Sequence, residues 1–117
     1  MTVTLKKFLE KLIDGYSDEA PDSAEYPYKV FSIKKISNED NISNYVLEVN
    51  VWDKNKTYSR AETIMDGLEK KLDSQTFLEK KFLVYTYLGT RNNVPDPDKA
   101  IKRVRGQFEI RIVEREE

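Results

Sequence analysis

The sequence predicts an α+β domain of order α-β-β-α-β-β: a mostly antiparallel four-stranded sheet with two helices packed on one face. Three observations predict it. Two segments repeat apolar residues at three- and four-residue steps, as amphipathic helices do. Four segments rich in β-branched and aromatic residues alternate apolar and polar positions, as strands with one covered face do. The order of these segments lets two hairpins, joined by a helix, form one sheet.

Taken in order, Val3, Leu5, Phe8, Leu9, Leu12 and Ile13 make one stripe of a first helix over 3–14, with Thr2 or Thr4 to cap its start and Gly15 to stop it. Lys6, Lys7, Glu10 and Lys11 face outward. Residues 16–27 hold two prolines and a run of acids and read as a loop. Residues 28–36 and 44–52, joined by the polar SNEDNIS stretch, read as a hairpin. In its second strand Leu47, Val49 and Val51 point one way, and Glu48, Asn50 and Trp52 the other. Ser59 and Glu62 have the spacing of a capping box, and Ala61, Ile64, Met65, Leu68 and Leu72 form the stripe of a second helix over about 59–73. A third strand covers 82–88. Gly89 to Lys102, with Pro95 and Pro97, reads as a long loop. The last strand runs over about 103–113, with Val104, Phe108, Ile110 and Ile112 opposite Arg103, Arg105, Gln107, Glu109 and Arg111.

A chain of 117 residues is long enough for one self-standing core, so 1–117 is expected to be a single domain. The 20 basic and 21 acidic residues leave a net charge of −1. That balance argues against a dedicated nucleic-acid binder, whose affinity rests on a basic excess. Neither Cys nor His occurs. Disulfides, thiolate nucleophiles, Cys/His metal sites and imidazole acid–base chemistry are therefore all removed. The N-terminal stretch lacks the long apolar run of a signal peptide, and no segment approaches the roughly 18 apolar residues of a membrane span. A cytoplasmic origin and no membrane partner are the expectation.

Carboxylates are the remaining acid–base candidates. Asp96-Pro97-Asp98 offers too few ligands for an oxygen-only cation site and fits a proline-organised turn in which Asp accepts backbone N–H groups. Glu62, Asp66 and Glu69 fit the solvated face of the second helix. The four glycines are dispersed, and none forms a phosphate-cradling loop ahead of a helix. No catalytic residue, cofactor or metal is expected.

Charge segregation is the informative feature. Residues 14–25 carry five acids and no base, whereas 99–105 carry Lys99, Lys102, Arg103 and Arg105 and no acid. Both runs can be solvated ends of elements. Alternatively, the acidic loop of one copy meets the basic segment of the next, a head-to-tail contact that closes into a ring when the rotation permits. The basic segment could also approach DNA. Trp52 is open to two readings, packing under a second layer such as the first helix, or anchoring a protein–protein contact. Tyr85 and Tyr87 raise the same question.

Four segments, in order, resemble the phage tail-completion (tail terminator, head–tail joining) family of long-tailed phages and prophages. They are Tyr26-Pro27-Tyr28; Val49-Asn50-Val51-Trp52-Asp53; Arg60 and Glu62 with the helix through Leu68 and Leu72; and Asn93-Val94-Pro95-Asp96-Pro97 leading into Lys102-Arg103-Val104-Arg105. The likeness spans about 24–113. It implies a non-enzymatic structural protein, a subunit of a ring, typically a hexamer, that caps the tail tube and docks the head connector or neck protein. DNA would pass through the lumen without specific binding. The place implied is the head–tail junction of the virion, reached from the host cytoplasm. Candidate subunit-interface residues are Asp18, Glu19 and Asp22 in the acidic loop, with Trp52, Arg103 and Arg105. The competing readings are a small regulatory binding module (an inhibitor or anti-host protein) acting through its sheet, and a carboxylate-dependent hydrolase.

Overall fold

The structure, a computed structural model, describes residues 1–115. Its elements in chain order are α1 (Thr2–Ile13), β1 (Tyr16–Ser17), β2 (Tyr28–Glu39), β3 (Ile42–Lys54), α2 (Ser59–Leu72), β4 (Gln75–Leu78), β5 (Phe82–Val94) and β6 (Ile101–Glu114). They form one six-stranded mixed sheet in the order β1-β2-β3-β6-β5-β4. The α+β class stands, but the expected four-stranded sheet is corrected to six. Every strand pair is antiparallel except β1–β2, which is parallel.

The two additional strands lie at the sheet edges. Tyr16 and Ser17, inside the expected loop 16–27, pair with Val30 and Phe31. Gln75 to Leu78 pairs with Thr86 to Leu83 directly after α2. The third expected strand also runs further than its apolar residues suggest. It shifts register between Leu88 and Thr90, then continues through the polar Thr90–Asn93 to Val94, because β6 supplies partners from Gln107 to Arg103. The expected loop 89–102 thus shrinks to 95–100.

The helices match the two apolar stripes, but their ends differ. Met1 and Tyr58 are the N-cap residues, and neither makes a side-chain cap bond, so neither Thr2 nor Thr4 caps α1. The capping box is absent because Ser59 already lies in the first turn, where its carbonyl accepts from Thr63 Oγ1 (2.9 Å). The helical N–H of Glu62 is bonded to Tyr58 O. At the other end of α1 the chain leaves the helix on Asp14, at φ 57°, one residue before the expected Gly15. Gly15 matters for close approach instead: a Cβ there would lie 2.9 Å from Lys29 O.

Both helices cover the same sheet face. Tyr45, Leu47, Val49 and Val51 of β3 and Val104, Phe108, Ile110 and Ile112 of β6 point into it and are buried. Leu5, Leu9 and Ile13 of α1 and Ala61, Met65, Leu68 and Leu72 of α2 close over them. Thr2 Oγ1 lies 3.0 Å from the Tyr45 hydroxyl, and Phe8 meets Phe77 edge-on at 5.4 Å. Gly106 makes the seam under α2, where a Cβ would stand 3.0 Å from Met65 Sδ. Each such large apolar side chain, fully buried, contributes about 1.5–3 kcal/mol of transfer free energy. β3 and β6 pair from Ile42↔Val113 to Lys54↔Ile101 and set the long axis of a 51 × 27 × 21 Å molecule.

β2 also has an exposed side. β1 covers it only at Val30 and Phe31, leaving the outer backbone groups from Ser32 onward without a strand partner among the described residues. Along that stretch lie Lys34, Lys35 and a register shift between Lys35 and Ser37.

Candidate assembly surfaces

Period-two geometry sends every second residue of β3 and β6 away from the helices. On that open face Trp52 stands directly opposite Arg103, and the Arg103 guanidinium lies over the indole, 4.8 Å from its ring centroid. A cation on a Trp face is worth about 0.5–1 kcal/mol at a partly wet site. It also fixes Arg103 in a defined orientation. Next along the strand, Arg105 lies opposite Asn50, reaches Glu48 Oε1 at 3.8 Å and donates from Nε to Asn92 Oδ1 at 3.4 Å. Trp52 is half-buried without any helix above it. The packing of Trp52 under the first helix is therefore corrected: α1 lies on the opposite face, and Arg103 is what shields the indole. Tyr85 is half-buried and Tyr87 is 45% exposed on the same open face.

The same strands place a different pair on the covered face. Asp53 is 0% exposed, at the end of β3, and its carboxylate accepts from Arg60 Nε (3.0 Å) and from the Lys54 N–H (2.8 Å). The Arg60 bond holds the Asp53 carboxyl below the usual carboxylate range, against the opposing effect of burial. The pair ties the first turn of α2 to the end of β3. A second tie joins α2 to β5: Arg91 donates to Asp66 Oδ1, to Glu69 Oε1 (3.0 Å) and to the Glu62 carbonyl (3.1 Å). The reading of Glu62, Asp66 and Glu69 as a plain solvated face is corrected to this extent.

Of the acidic loop, Asp18 is fixed at both ends: its carboxylate accepts from Lys6 Nζ at 2.8 Å, and its N–H donates to Phe31 O at 2.7 Å. Glu19 and Asp22 are exposed and form no ion pair among the described residues. Within one chain, no ion pair joins residues 14–25 to Arg103 or Arg105 among the described residues. The structure therefore brings Trp52, Arg103 and Arg105 together on one patch and sets Asp18, Glu19 and Asp22 apart on the β1 edge. The Asp53–Arg60 pair has no signal in the sequence pattern, although both residues fall in the segments that carry the family resemblance.

Asp96 and Asp98 accept the N–H groups of Asp98 and Ala100, both at 2.9 Å, as a turn requires. Among the described residues, no three acidic side chains converge as metal ligands would. A polar cleft of about 680 Å³ lies where α1 meets the acidic loop, lined in part by Asp14, Glu25, Tyr28 and Lys29. Burial lowers the Lys29 pKa there, with Asp14 pulling the other way. No helix among the described residues is long and apolar enough to cross a membrane.

Comparisons with known proteins place these features in context. The family model described as Tail completion protein gp17 matches residues 5–113. Among solved structures, a chain of the assembly described as "Virion of native gene transfer agent (GTA) particle" is similar in fold. Its TM-score is 0.68 at 13% identity, over 90% of this chain and 84% of that one. Curated proteins give no match by sequence.

Proposed function

This chain belongs to the tail completion protein gp17 family, and from that membership we propose that it is a structural subunit of a phage or prophage tail. It caps the finished tail tube as a ring, with a hexamer as the expected number, and offers the opposite ring face to the head connector or neck protein. Its site is the head–tail junction of the virion, and it assembles there from the host cytoplasm. DNA passes through the lumen without being gripped, a role with which the net charge of −1 agrees.

The observation that carries this reading beyond the family name is the open sheet face. A half-buried Trp locked under an Arg, with a second Arg further along the same strand and Tyr28 opposite the Trp on β2, is the composition that anchors protein–protein contacts. Trp52, Arg103 and Arg105 are assigned to contacts with neighbouring subunits or virion proteins, and Asp18, Glu19 and Asp22 to the subunit boundary on the β1 edge. The role is not enzymatic. The sequence offers neither imidazole nor thiol, and the carboxylates at Asp53, Asp96 and Asp98 are occupied by structural hydrogen bonds. The fold likeness to a chain of a gene transfer agent virion agrees with a place in a phage-like particle.

Electron microscopy of particles made without this protein tests the reading. Unjoined heads beside abnormally long or unsealed tails are expected. Normal, infectious particles would end it.

A further inference from the structure

At the sheet edge opposite the acidic loop, α1 and the turn between β4 and β5 enclose a groove of about 610 Å³. Its floor is apolar, formed by Phe8, Leu12 and Phe82. Lys7 and Lys11 from α1 and Lys80 and Lys81 from the turn line it, with Glu79 the one acid among the described residues. None of the four has an ion-pair partner among the described residues. An apolar floor with a cationic rim suits a segment that alternates small apolar residues with carboxylates.

The chain carries such a segment. Glu19, Asp22 and Glu25 recur every third residue, with Ala20, Pro21 and Ala24 between them. All three acids are exposed, and none is engaged in an ion pair among the described residues. Asp18, anchored to Lys6 and to Phe31 O, holds the base of the loop against the β1 edge. The loop follows β1 at one edge of the sheet and the groove lies beside β4 at the other, and no ion pair joins the two within one chain among the described residues. Arg103 and Arg105 are already engaged by Trp52, Glu48 and Asn92, which leaves the lysines as the more available counter-charge.

We infer that residues 19–25 of one copy dock in the lysine-rimmed groove of the next. This contact is heterologous and repeats around a closed ring. It rests on the ring reading above and names the two surfaces that join. Its charged rim makes it sensitive to salt, since exposed charges are screened over about 8 Å at physiological ionic strength.

The absence of native cysteine makes a clean test possible. Two double variants of the full chain, Asp22→Cys with Lys81→Cys and Glu25→Cys with Lys80→Cys, are concentrated and mildly oxidised. Single-cysteine variants can link no further than dimers. The inference expects a ladder beyond dimers, several-fold above those controls, in at least one double variant, fading at high salt. Products no larger than the controls' in both double variants overturn it. Asp22→Cys with Arg105→Cys separates the two levels: a ladder through that pair alone moves the loop's partner to the open face and keeps the ring. No ladder through any pair, with the chain missing from tail ends by immuno-electron microscopy, overturns the ring reading as well.

Discussion

The two faces of the sheet are made by the same strands and do opposite work. On the covered face of β3 and β6, aliphatic and aromatic side chains lie under two helices, and the one buried carboxylate, Asp53, is bonded to Arg60. On the open face the alternate residues include Trp52, Tyr85, Arg103, Arg105, Asn50 and Glu48, half-buried, and Tyr87, Glu109 and Arg111, exposed, and no helix covers them. Burial on the first face supplies stability. Ordered but accessible side chains on the second supply a surface that costs the fold little to change. Sequence change on one face should therefore unfold the subunit, and on the other should leave it folded and unable to assemble.

Phe108→Ala tests the covered face hardest. The ring is fully buried beside Gly106 and Leu47, so its removal leaves a cavity and should cost about 3–5 kcal/mol in urea unfolding. A loss below about 1 kcal/mol would mean that this face is not the core. Asp53→Ala comes next, at about 2 kcal/mol near neutral pH, because the change removes a buried carboxylate and leaves the N–H of Lys54 without its acceptor. The sign of its pH dependence follows from the depressed folded-state pKa. The stabilisation is complete above the unfolded value of about 3.9 and disappears as pH falls through the lower folded value. Urea midpoints should therefore fall more steeply below about pH 4 for the natural protein than for the variant; equal slopes would remove Asp53 as the cause. Arg103→Glu with Arg105→Glu should move stability least, by about 1 kcal/mol or less. That double change should nonetheless abolish the joining of tails to heads in a complementation assay. An unfolded variant, or particles that join normally, would erase the contrast between the faces.

Much of this division is readable in the sequence. The alternation of Leu47, Val49 and Val51 with Glu48, Asn50 and Trp52, and the matching pattern in β6, is enough by itself to sort the residues of both strands into two faces. What the alternation cannot say is what covers Trp52, since half-burial under Arg103 and burial under a helix leave the same residue in the strand. β1 and β4, of two and four residues, are too short to display a period. The end of β5 is hidden because Thr90–Asn93 is polar and reads as a loop; its hydrogen bonds come from β6, which pattern within one segment cannot reveal. The same holds for Arg91, whose partners Asp66 and Glu69 lie a strand and a turn earlier, and for Asp53 and Arg60, separated by the turn from strand to helix. Of the candidate surfaces, the charge runs are plain in the sequence. The lysine groove is not, because Lys7 and Lys11 join Lys80 and Lys81 only when α1 lies against the β4–β5 turn.

The outer side of β2 has a consequence for how a waiting subunit behaves. A long bare strand border invites another polypeptide to zip onto it and grow fibres. Here two adjacent lysines and the local kink after Lys35 spoil that template over its middle. The bare border is thereby a poor seed for strand-by-strand aggregation, and the backbone there offers little that a second polypeptide could extend.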